Sequence, residues 1–118
     1  MDAYTEFSIA AGRRLTGVPE GHPCGRVHGH TFRVRVTVSG AVDPATGFVV
    51  DFADVQRAFA PVHEALDHRF LNDVPGLGNP TSEQLAAWIW QRLVPALPGL
   101  SAVEITETGS SGVVFRGQ

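Results

Sequence analysis

Apolar and polar residues alternate through Thr31-Phe32-Arg33-Val34-Arg35-Val36-Thr37-Val38, with Phe32, Val34, Val36 and Val38 on one side and Thr31, Arg33, Arg35 and Thr37 on the other. A period of two marks a strand with one buried face. Carried backwards, the same phase places His28 and His30 with the apolar residues, because side chains two apart leave a strand on the same side. Residues 4–11 alternate as well, with Phe7, Ile9 and Ala11 sharing a face. If that strand persists a little, Arg13 joins the inward phase. Residues 12–23 carry Gly and Pro at turn-forming density and read as a loop that delivers the chain to Cys24.

The period then changes. Residues 40–47 are turn chemistry, and Phe48-Val49-Val50 reads as a short returning strand. Asp51 stands where an N-cap should, and Phe52, Val55, Phe59, Val62 and Leu66 follow at spacings of three and four, an amphipathic helix. Pro61 inside that pattern is expected to kink or divide it. Asp67-His68 ends the stripe, and residues 69–80 form a loop. Thr81-Ser82-Glu83-Gln84 has the form of a capping box ahead of a second helix through Leu85, Trp88, Ile89, Leu93 and Leu97, ended by Pro95 and Pro98-Gly99. Alternation returns over residues 102–108, where Glu107 shares the phase of Val103 and Ile105. Residues 109–112 form a turn, and Val113-Val114-Phe115 is a last strand. Strands grouped at both ends and helices in the middle predict an α+β domain in ββααββ order, a four-stranded antiparallel sheet with two helices on one face. Such a sheet has edges, which invite other copies of the chain, so a homo-oligomer is expected.

The chain has 118 residues, enough for one domain, residues 1–118, with its own core. A formal charge of −3 and no basic run argue against nucleic acid or an anionic membrane as partner, leaving a small molecule as the expected ligand. One cysteine cannot form an intramolecular disulfide, and the N-terminus has neither a basic region nor an apolar one, so a cytoplasmic location is expected.

Three features carry candidate chemistry. His28-Gly29-His30 can bring two imidazole lone pairs to one divalent ion, or its rings can simply bond to backbone. Arg13 on an inward phase needs an anion or a set of acceptors. Glu107 in an apolar phase needs donors or a cation, otherwise its ionised form is strongly disfavoured.

The run Val18-Pro19-Glu20-Gly21-His22-Pro23-Cys24-Gly25-Arg26-Val27-His28-Gly29-His30 closely resembles the 6-pyruvoyl-tetrahydropterin synthase / 6-carboxytetrahydropterin synthase family. Further matching blocks are Val42-Asp43-Pro44, Gly47 with Asp51-Phe52, Leu66-Asp67-His68, Phe70-Leu71-Asn72-Asp73, Asn79-Pro80-Thr81-Ser82-Glu83 and Glu107-Thr108. The resemblance implies a tunnelling (T-fold) domain assembling into trimers and hexamers with pterin sites between subunits. In the bacterial branch, which the chain resembles most, it implies conversion of dihydroneopterin triphosphate to 6-carboxytetrahydropterin on the path to queuosine. Carried over, Cys24 would be the proton-abstracting thiolate and Asp67 and His68 the dyad that activates it. Glu107, with Thr106 beside it, would grip the pterin, and His28 and His30 would be two of three Zn²⁺ ligands.

One position departs from the family pattern. Where relatives carry the first zinc-binding histidine this chain has Arg13, within Ala11-Gly12-Arg13-Arg14-Leu15. A guanidinium has no lone pair and stays protonated, so the usual three-histidine site cannot form here. Three readings follow. Zinc is bound by His28 and His30 with another group such as His22, and the family reaction persists. Alternatively, zinc is gone and Arg13 acts as a fixed substrate-binding charge in a repurposed enzyme taking a different anionic or heterocyclic substrate. In the third, the chain is a non-catalytic pterin- or purine-binding oligomer.

Overall fold

The computed structural model describes all 118 residues. Two long strands, β1 (Asp2–Arg13) and β2 (His28–Ser39), are followed by helices α1 (Phe52–Leu66) and α2 (Ser82–Leu93) and then by β3 (Leu100–Thr108) and β4 (Ser111–Phe115). The four strands form one antiparallel sheet in the order β1-β2-β3-β4. The α+β architecture in ββααββ order is thus the one the periodicity predicts. Ile9, Phe32, Val34, Val36, Val103 and Ile105 project from the sheet onto Val55, Phe59, Val62, Leu66, Leu85, Ile89 and Leu93 of the helices, and all are buried. Phe7 of β1 and Phe59 of α1 stack with ring centroids 3.9 Å apart.

Some local expectations are corrected. Residues 48–50 form no strand, because the segment closes on itself: Asp43 donates its amide to the Phe48 carbonyl and Gly47 donates its own back to Asp43. Asp51 caps α1 through the Ala53 amide, as expected, but Phe52 lies outside the core, 54% exposed. Pro61 does not divide α1. Its ring is exposed, so the Arg57 carbonyl it leaves without an amide partner has water within reach. Thr81 caps α2 by accepting the Gln84 amide, yet the reciprocal half of a capping box is missing: the Thr81 amide goes to the Asn79 carbonyl. β4 begins at Ser111, inside the predicted turn. Gly112 sits there so close to β3 that a Cβ would lie 2.5 Å from the Ile105 carbonyl oxygen.

Two details of register position the site. β1 runs to Arg13, which pairs directly with His28, while Ala11 pairs with His30. In β3 the register slips between Thr106, paired with Gly112, and Thr108, paired with Ser111. Glu107 is the extra residue of that bulge, a device that re-aims a side chain at a sheet end.

Candidate active site

Arg13 ends β1 on the inward phase and is only 3% exposed. Its Nη2 donates to Glu107 Oε1 at 2.5 Å, its Nη1 to the Pro80 carbonyl at 3.0 Å and its Nε to His28 Nε2 at 3.4 Å. The guanidinium also lies over the Phe32 ring, 4.9 Å from its centre. Ser82, buried at the first position of α2, donates its hydroxyl to the same Glu107 oxygen at 2.5 Å. The inward arginine therefore finds an anion and the inward glutamate finds a cation, each answering the other's need. Burial pushes the Glu107 carboxyl up, but the Ser82 and Arg13 bonds and the Arg13 charge outweigh it and hold it below its ordinary value. Oε2 accepts nothing from the protein.

Glu107 looks into an open groove of about 700 Å³ beside the ends of β1 and β2, with His30, Thr31, His68 and Arg69 on its walls and Gly12 and Gly29 keeping the backbone bare. A larger cavity of about 1050 Å³ opens between the helices and the 68–75 segment and shares only His68 and Arg69 with the groove. It lacks Glu107 and His30, so the groove is the candidate site.

His68 reaches the groove because α1 ends just before it, with Asp67 at the helix C-cap behind it. Asp67 accepts the Ala10 amide through Oδ1 at 2.9 Å and holds His68 Nδ1 through Oδ2 at 2.8 Å. The Ala10 bond first, and the His68 bond next, keep its carboxyl below the usual carboxylate range. The His68 amide donates to the Ala10 carbonyl and the Gly12 amide to the Arg69 carbonyl, so residues 67–70 run along β1 as a short extra rail. An ionised carboxylate only accepts, which assigns the His68 proton to Nδ1 and leaves the Nε2 lone pair to the groove. His68 is 81% exposed and is the one non-glycine residue at positive φ, 58°. Left-handed backbone at such a residue costs of order 1–3 kcal/mol and persists where surrounding bonds enforce it. His63, which the sequence reading passed over, also stands 3.9 Å from Asp67, a helical turn before it.

Cys24 lies in a one-turn 3₁₀ helix (Pro23–Gly25), half-buried, and does not line the groove. Its loop is held by two side chains also missed in the sequence. Asn72 clasps the Arg14 backbone through both its oxygen and its nitrogen, and Asn79 does the same to Thr16. An Asn-rich loop opposite a Gly/Pro-rich one was the available signal. Thr106 pairs with Arg33 and Gly112 within the sheet and likewise stays off the groove wall.

The residues present do not fit a metal ion. His28 donates from Nδ1 to the Arg26 carbonyl at 2.7 Å, and its Nε2 lone pair faces Arg13. His22 accepts the Cys24 amide through Nδ1 as the cap of its own turn, so it does not complete a set with His28 and His30. Nowhere do three His, Cys, Asp or Glu side chains group to hold an ion.

The chain matches the 6-pyruvoyl tetrahydropterin synthase family over residues 2–118. It is 45% identical over 118 residues to the 6-carboxy-5,6,7,8-tetrahydropterin synthase of Synechocystis sp., a match covering 95% of this chain and 90% of that protein. To the 6-pyruvoyl tetrahydrobiopterin synthase of Homo sapiens it is 39% identical over 97 residues, covering 77% of this chain and 67% of that protein. The structure of Caenorhabditis elegans 6-pyruvoyl tetrahydropterin synthase matches with a TM-score of 0.90 at 25% identity, covering 100% of this chain and 96% of that one. Fold, carboxylate-bearing groove and a match along nearly the whole sequence agree, and the chain belongs to the 6-pyruvoyl tetrahydropterin synthase family of enzymes.

Proposed function

We propose that the protein is a lyase of the 6-carboxytetrahydropterin synthase type, acting on dihydroneopterin triphosphate or a related pterin. The observation that carries this reading is the pairing, across one groove, of a carboxylate with a free oxygen, Glu107 Oε2, and an imidazole with a free lone pair, His68 Nε2. The 45% identity to a protein of that name supports the substrate class.

The chemistry follows from the groups. A pterin presents two adjacent N–H groups on its pyrimidine edge. Oε1 already accepts from Arg13 and Ser82, so both N–H groups would fall to the two lone pairs of Oε2. With the ring held, a side-chain carbon next to a hydroxyl or carbonyl loses its proton to the Cys24 thiolate. The C–H electron pair moves into the adjacent C=N bond of the dihydropterin ring, or into a neighbouring carbonyl to give an enediol, and His68, oriented by Asp67, takes the proton on from Cys24. His68 is exposed and Cys24 lies off the groove wall, which supports a site completed between copies of the chain in a trimer or hexamer.

The test is incubation with dihydroneopterin triphosphate and identification of products by mass spectrometry, alongside Cys24→Ala and Glu107→Gln. The expected outcome is a pterin product from the wild type, turnover abolished in Cys24→Ala with pterin affinity kept, and affinity lost in Glu107→Gln. Wild-type protein that binds pterin without converting it would sink the lyase reading. Arg13 favours a second reading, a family member working on a different anionic or heterocyclic substrate. A substrate screen in which another heterocycle is turned over faster would replace the first reading with it.

A further inference from the structure

We propose that Arg13 is a built-in cation standing where relatives place a metal ion, holding Glu107 in position and making this member of the family metal-independent. Three independent features lead there. The first is the direction of the His28 lone pair. Its Nδ1 proton goes to the Arg26 carbonyl at 2.7 Å, so Nε2 is the only nitrogen an ion could use, and Arg13 Nε already donates to it at 3.4 Å. A neutral imidazole has one lone pair, and an ion would have to evict the guanidinium to reach it.

The second is that the guanidinium has nowhere to go. It is 3% exposed, ion-paired to Glu107, bonded to the Pro80 carbonyl and laid over Phe32. Swinging it away would leave a buried guanidinium without its anion and the half-buried Glu107 without its cation, an arrangement far less stable than the intact pair. The third is the donor count. His22 caps its own turn, and no three ligating side chains share a space. Three protein ligands are what a catalytic zinc site needs.

Arg13 does not reach the groove itself, so it is a positioning residue that acts through Glu107. It occupies one oxygen of the carboxylate, with Ser82 on the same atom, and leaves the other aimed at the groove. His30 remains as the imidazole facing the groove, with its ring packed on Phe32 at 5.0 Å. The assignment of Arg13 to Glu107 rests on the pterin reading only for the identity of what Glu107 holds.

Zinc titration of purified wild-type protein, followed by elemental analysis after desalting and by melting temperature with zinc or with chelator, tests the proposal without any assay of turnover. The expected result is no retained zinc and a melting temperature unmoved by either treatment. Stoichiometric zinc in the wild type would overturn it. Arg13→His, which restores a third imidazole, should tighten zinc binding by at least about 100-fold, since losing even an outer partner of a ligand costs roughly 10–100-fold. A folded Arg13→His protein that gains no zinc would overturn the proposal too, and if that variant does not fold the wild-type titration decides alone. Neopterin binding measured in excess chelator should equal that without it, and binding that requires added zinc counts against Arg13. Absence of neopterin binding under both conditions would sink the pterin reading, while the zinc result still decides for or against Arg13.

Discussion

Asp67 and Ala10 lie 57 positions apart in sequence, yet the Asp67 carboxylate accepts the Ala10 amide at 2.9 Å, and that bond fixes the His68 ring held by the other carboxylate oxygen. The carboxyl is kept below its ordinary value chiefly by that amide and then by His68. A carboxyl depressed on folding stabilises the fold fully above its unfolded pKa, about 3.9, and loses that contribution as pH falls through the lower folded value. Asp67→Asn should therefore flatten part of the acid limb of stability, seen as a smaller drop in melting temperature between pH 5 and about pH 3. Turnover at neutral pH should fall by about 100-fold or more, the worth of a misoriented proton-transfer group. An unchanged acid limb would mean that the bond is not held in solution.

His68 sits at φ 58°. Glycine takes that conformation without steric cost, so His68→Gly should melt at or above the wild-type temperature while losing turnover by about 100-fold. A fall of more than about 4 °C in melting temperature would show that the ring's bond to Asp67 outweighs the backbone strain.

Asn79 returns two hydrogen bonds to the Thr16 backbone, and residues 14–26 include Cys24. Asn79→Ala should cost about 1–2 kcal/mol. It should also speed cleavage by trypsin at Arg14 and Arg26, with an effect on KM and kcat greater than on the melting temperature. Equal protease resistance would show that Asn72 alone holds the loop.

Ser82 supplies the first of the bonds that overcome the burial cost of an ionised Glu107. Ser82→Ala should destabilise the fold by about 1–2 kcal/mol at neutral pH. Because the Glu107 carboxyl would then be less depressed, its stabilising charge should be lost at a higher pH on acidification than in the wild type. Acid unfolding monitored by circular dichroism reads this directly, and a transition moved to lower pH would contradict it.

Most of the fold was legible before any coordinates. Alternation is a local property of a strand, so residues 31–38 and 4–11 disclosed β2 and β1, and three- and four-residue spacing disclosed α1 and α2. The misreadings came where local preference is weak or tertiary context rules. Phe48-Val49-Val50 has strand composition but no partner strand to pair with, and Pro61 lies on the solvent side of its helix, where a missing amide is tolerated.

The site divides along the same line. The inward placement of Arg13, His28 and His30 was determined by sequence alone, because side-chain phase needs only the period of the strand and the residue's position in it. Glu107 shares the inward phase in the sequence but owes its final direction to a bulge. The tertiary structure decided which of these groups meet. Arg13 and Glu107 are 94 positions apart, and they touch because β2 lies between β1 and β3 in one sheet and a bulge turns Glu107 toward Arg13. The sequence alone puts a guanidinium without a lone pair among the inward groups, but its bonds to His28, Pro80 and Glu107 are set by register and packing over the whole chain.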